Sequence, residues 1–150
     1  DSTGLAAWQE MGTKISAFQP AGCKTLTNVT TTFQKIADMG TFTKSAASSY
    51  IKLTVQTNLS VDSLFSATGI VYELRIDDQP TLIGNATAFI KTATNSFPVT
   101  ITAVYHALSN SSHTISMWAK TVNGTAKNAG WDQDCLNGAG TNNVLVEEYK

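Results

Sequence analysis

The sequence predicts an all-β domain, and three observations carry that prediction. Several stretches alternate apolar and polar residues with the period of two that a half-buried strand requires. Clusters of Gly, Asn, Asp and Pro separate these stretches at short, regular intervals. No apolar pattern of helical period recurs between them, so the order reads as a sandwich or barrel rather than as alternating βαβ units.

The clearest strand is Ser49 to Gln56, where Ile51, Leu53 and Val55 point one way and Tyr50, Lys52 and Thr54 the other. Gly69 to Ile76 follows, with Ile70, Tyr72, Leu74 and Ile76 on one face and Glu73 and Arg75 on the opposite one. It ends at Asp77-Asp78-Gln79-Pro80, a turn by composition. Pro98 leads into a strand from Val99 to Leu108, Asn110-Ser111-Ser112 connects it to His113 to Val122, and Val144 to Tyr149 is the last strand. The Gly/Asn-rich stretch between, Asn123 to Asn143, reads as a loop. Leu26 to Ile36 and Thr41 to Lys44 are weaker strand candidates.

Residues 1–22 differ from the domain that follows, 23–150. Leu5, Trp8, Met11 and Ile15 fall nearly on one helical face, yet Gly4, Gly12 and Pro20 interrupt any long helix. This segment reads as an apolar N-terminal arm that must bury Trp8 and Phe18. It either packs on its own domain or adds a strand to an open sheet edge of a neighbouring copy, which would chain subunits head to tail.

Composition bounds the setting. The 150 residues are 42% hydrophobic and only 14% charged, with a formal net charge of -1. Neutral Thr, Ser and Asn must therefore cover the surface. Arg75 is the single arginine, which speaks against phosphate recognition and hence against nucleic acid as a partner. No apolar run is long enough for a membrane-spanning helix, and the absence of a basic-then-apolar leader before Asp1 reads as a mature soluble product. The two cysteines, Cys23 and Cys135, could close most of the domain into one covalent loop, worth about 3–5 kcal/mol in the chain-entropy model; two buried thiols are the alternative. Five Asn-x-Ser/Thr sequons begin at Asn28, Asn58, Asn85, Asn110 and Asn123. Glycans there would supply the solvation that charge does not, and they point to an extracellular, secreted protein.

From Met39 onward the order of motifs resembles a known family. Gly40-Thr41-Phe42-Thr43-Lys44 precedes Ser49-Tyr50-Ile51-Lys52-Leu53-Thr54-Val55; then come Ile70-Val71-Tyr72-Glu73-Leu74, Ile115-Ser116-Met117-Trp118 and the closing Val144-Leu145-Val146-Glu147-Glu148-Tyr149-Lys150. This series is similar to the C-terminal domain of the collagen triple helix repeat-containing proteins, secreted glycoproteins whose domain is like the trimeric jelly-rolls of C1q and tumour necrosis factor. The resemblance implies a jelly-roll sandwich, an extracellular setting and homo-oligomers. It does not extend to cysteine content, to a collagenous segment or to a receptor role.

Chemistry is sparse. His106 and His113 flank one turn but have no cysteine or carboxylate at ligand spacing, so no metal is expected there. Asp132, Asp134 and the amides around Cys135 form a possible calcium loop without EF-hand spacing. Asp77-Asp78 and Glu147-Glu148 are adjacent pairs whose side chains diverge, poor acid/base dyads. No nucleophile elbow, P-loop or dinucleotide fingerprint occurs, and the chain reads as neither an enzyme nor a cofactor carrier. The expected function is self-association into trimers or filaments, with Trp8, Phe18, Tyr50 and Trp118 as interface residues. The alternative is a lectin or receptor-binding module using Trp131, Asp132 and Asp134.

Overall fold

The computed structural model describes residues 14–20, 22–62, 64–80, 87–92, 94–131 and 142–149. These form ten strands and, among the described residues, no helix: β1 (Lys14–Phe18), β2 (Lys24–Val29), β3 (Gln34–Thr43), β4 (Tyr50–Asp62), β5 (Ile70–Ile76), β6 (Thr87–Ile90), β7 (Thr94–Tyr105), β8 (Ser112–Thr121), β9 (Ala126–Trp131) and β10 (Asn143–Tyr149).

All pairings are antiparallel. One sheet has the order β3-β8-β5-β6. In the other, β7 runs along one side of β4, so β10 and β9 share its opposite side, at Tyr50–Gln56 and Leu59–Asp62. β1 then pairs with β10 and β2 with β9. This second sheet is thus four ribbons wide, β1/β2, β10/β9, β4 and β7. The chain crosses repeatedly between the sheets, and this wound double-sheet arrangement is a jelly-roll.

The alternation read from the sequence sets the core. Ile51, Leu53, Val55, Leu59 and Val61 of β4 face Ile70, Tyr72, Leu74 and Ile76 of β5 and Ile115, Met117 and Ala119 of β8, all buried. Tyr72 spans the sandwich and donates its hydroxyl to the Ser60 carbonyl.

Five local readings differ from the structure. The stretch Leu26 to Ile36 is broken at 30–33, where Asn28 turns left-handed (φ 55°) and the Gln34 side chain accepts from Thr30 N–H; Thr41 to Thr43 is simply the end of β3. β7 starts before Pro98, at Thr94, because Pro98 lies on an edge strand where a missing N–H is tolerated. The Gly/Asn-rich loop contains β9, whose Gly130 is required by the close approach of the Lys24 carbonyl, 2.8 Å from where a β-carbon would stand. Within the 1–22 segment, Lys14–Phe18 is β1 of this chain's own sheet, which places the start of the sandwich well before Cys23.

Candidate assembly surface

The sandwich has two flanks, and they are finished differently. At the first, β1 and β2 of one sheet come beside β3 of the other. Phe18 closes it: its ring lies directly on Gly40, leaving no room for a β-carbon there. Below it the β3–β4 loop is fixed by two buried charges. Lys44 Nζ donates to the carbonyls of Ala46 (2.7 Å), Ala47 (2.9 Å) and Leu108 (2.8 Å). The Glu148 carboxylate accepts from the amides of Ser45 and Ala46 and from the hydroxyls of Ser45 and Ser49. Burial alone would raise the Glu148 pKa, but these donors outweigh it and hold the group at about 2.

At the second flank, the edge strands β6 and β7 lie side by side, and among the described residues nothing comparable covers them. Phe89 of β6 is 45% exposed, and on β7 Phe97 and Val104 are 48% and 38% exposed. β7 is twelve residues long and carries no charged side chain. Long, neutral edges with free N–H and C=O groups pair readily with further strands, and proteins usually blunt them with lysines, bulges or proline. Here Pro98 and the register shift between Thr94 and Phe97 interrupt only its start, and from Val99 to Tyr105 no described strand pairs with its outer side.

The aromatic residues expected at an interface are mostly engaged within the chain. Tyr50 stacks on Tyr149, with ring centroids 5.0 Å apart, and lies 5.5 Å from His106. Trp118 lies on the outer face of its sheet under Arg75, whose guanidinium is 4.2 Å from the indole and 4.9 Å from the Phe33 ring. Arg75 Nε also donates to Glu73 Oε1 at 2.6 Å, so the single arginine is consumed by an internal stack. Phe18 is committed to Gly40, and Trp8 lies outside the described residues. Among the described residues, the phenylalanines that face solvent are Phe65, Phe89 and Phe97. Only the Phe97-Pro98 pair, in a stretch without charge, marks one of them in the sequence.

Trp131 does not offer a stacking face. It is fully buried, a core residue paired with Leu59, and its Nε1–H is donated to the Gly22 carbonyl at 3.1 Å. Period-two placement on β9 turns it inward, which removes the central residue of the lectin reading. Asp132 and Asp134 lie outside the described residues, as do Cys135 and Asn85. Cys23 is disulfide-bonded.

The histidines are separated rather than paired. His106 is exposed beside Tyr50, whereas His113 is buried against Phe42, with Nδ1 2.7 Å from Asp77 Oδ2 and Nε2 2.9 Å from the Ser109 carbonyl. Among the described residues no group of three or more His, Cys, Asp or Glu is arranged to hold a metal. Asp77 and Asp78 are the left-handed centre of a turn, φ 52° and 60°, and diverge. Asp77 accepts from the Thr114 amide, while Asp78 accepts from Ser116 and Lys35. Glu147 and Glu148 also face opposite ways, Glu147 to Lys52 at 3.1 Å. Of the described sequon asparagines, Asn28, Asn110 and Asn123 are exposed and Asn58 is half-buried on β4.

No protein-family model matches the chain, and no curated protein matches it. Solved structures of infectious bursal disease virus do. The Gt strain structure aligns with a TM-score of 0.45 and 12% identity over 90% of this chain, and the Gx strain structure with 0.43 and 11% over 93%. This chain spans 33% and 38% of those two chains, about a third of their length.

Proposed function

We propose that this chain is a secreted, glycosylated structural module that associates with copies of itself through the β6–β7 flank. The observation that carries the proposal is the edge strand β7, twelve residues without a charge, which carries half-exposed Phe97 and Val104 and lies beside half-exposed Phe89 of β6. Backbone groups of such an edge gain ladder hydrogen bonds by pairing, and the phenylalanines supply the apolar burial that holds an interface. The opposite flank is unsuited to the same role, because Phe18 already closes it.

Sedimentation velocity on the full chain tests this. The wild type should sediment above monomer mass at micromolar concentration. Val104→Lys, which places a charge on the exposed face of the edge, should weaken association by about tenfold or more and leave the thermal midpoint within a few degrees. A wild-type monomer, or assemblies indifferent to Val104→Lys and Phe97→Ser alike, would remove the proposal.

A further inference from the structure

The two most exposed large apolar residues in the described structure are not on the β6–β7 flank. Phe65 is 71% exposed and Val122 is 51% exposed, and both belong to one end of the sandwich. The loop 64–68 and the turn 122–125 are tied together there. Asn123 Oδ1 accepts from the Thr68 amide at 2.8 Å and from its hydroxyl at 3.0 Å, and the Thr125 amide donates to Ser66 Oγ. Gly124, at φ 58°, packs so closely on Ser66 that a β-carbon would stand 2.4 Å from its Oγ.

Phe65 is an odd choice for its place. Leu64 to Ala67 forms a turn closed by the Ala67 amide on the Leu64 carbonyl. Positive φ occurs only at its first central residue, Phe65, at 38°. That position normally takes glycine, since a β-carbon is strained there. A bulky ring held at a strained position and left in water gains nothing from the fold itself. Exposed apolar groups brought to one end of a sandwich mark a contact, and Asn123, which follows Val122 and is bonded to the Phe65 loop through Thr68, is the first residue of the sequon Asn123-Gly124-Thr125. Both hydrogen bonds from Thr68 go to the amide oxygen of Asn123, which fixes the side chain and leaves Nδ2, the atom that bears a glycan, turned from Thr68. Attachment of a sugar at Nδ2 keeps that oxygen and both bonds.

We infer that Asn123 carries an N-linked glycan whose first sugar lies against Phe65 and Val122. The apolar C–H face of an N-acetylglucosamine covers the phenyl ring, and the glycan thereby stabilises the end of the sandwich where β4–β5 and β8–β9 turn. This inference rests on the secreted reading and is independent of self-association.

Site mapping on the full chain secreted by a eukaryotic cell tests it first. Enzymatic release of N-glycans in heavy-oxygen water should convert Asn123 to labelled Asp. Thr125→Ala, which removes the sequon but keeps Asn123 and the Thr125 amide, should lower the Tm of the secreted protein by about 2–4 °C. It should leave the Tm unchanged in protein made in bacteria without glycans, and in the Phe65→Ser background of the secreted protein. Occupancy at other sequons with Asn123 bare would overturn the inference and spare the secreted reading. No occupancy at any sequon would overturn both. Equal Tm losses with and without Phe65 would reject the stacked sugar.

Discussion

The ring of Phe18, on β1 of one sheet, lies on Gly40 of β3 in the other. A β-carbon at position 40 would stand 2.3 Å from Phe18 Cε2 and 2.9 Å from Cζ, inside any tolerable contact. β1 is short and pairs only with β10, so this ring is its main anchor across the sandwich. Gly40→Ala should expel the ring and cost about 1–3 kcal/mol, the usual penalty for overpacking. Hydrogen exchange would show the amides of Ser16 to Phe18 losing protection while those of β4 and β8 keep theirs. Unchanged protection in β1 would mean that the β10 ladder alone holds it.

Where alternation is strict, the fold was legible. Ile51, Leu53 and Val55, or Ile70, Tyr72 and Leu74, announce both a strand and its buried face, because period two is the geometry of the pleat. β9 escaped because Ala126, Ala129 and Gly130 are small residues that read as loop, and their burial follows from the close approach of β2 and β4. β6 and β1, of four and five residues, are too short for alternation to declare itself. The candidate surface was less legible than the fold. Tyr50 and Trp118 look like interface aromatics until Tyr149 and Arg75 are brought to them from distant strands. Phe89 and Phe97 are exposed because the strand order leaves β6 and β7 at the edge, which local sequence does not give.

Glu148 makes stability depend on acid in a definite direction. Its folded pKa is held at about 2, below the ordinary 4.5. The unfolded chain therefore binds the extra proton first, and the stabilisation, present above pH 4.5, is lost as pH falls toward 2. Glu148→Gln removes one carboxylate acceptor from four donors and should cost on the order of 2–3 kcal/mol at pH 7. Urea titrations at a series of pH values should show the difference between wild type and variant shrinking steadily between pH 4.5 and 2. A difference independent of pH would assign the cost to packing instead.

Arg75 holds the outer face of the β3-β8-β5-β6 sheet through Glu73, Trp118 and Phe33. Arg75→Ala should cost about 3–5 kcal/mol, because it leaves the Glu73 carboxylate buried without a partner. Arg75→Lys keeps the charge but gives up the planar stack, and about 1–2 kcal/mol should go with it. Replacing Glu73 and Arg75 together by Leu and Met should recover much of the loss, measured as a coupling energy in a double-mutant cycle. Additive losses would show that the pair contributes through separate contacts.

Trp131 distinguishes a core role from a recognition role most directly. A ligand-stacking tryptophan can be truncated with little effect on the fold, whereas this one is fully buried beside Leu59. Trp131→Ala should destabilise by about 3–5 kcal/mol, through lost burial and the cavity it leaves. Trp131→Phe keeps most of the apolar volume but loses the Nε1–H bond to Gly22, next to the disulfide-bonded Cys23, and should cost about 1–2 kcal/mol. Guanidinium unfolding followed by intrinsic fluorescence of the remaining tryptophans and by circular dichroism would measure both. If Trp131→Ala unfolds at the wild-type midpoint, the indole is not part of the core and a surface role for it returns.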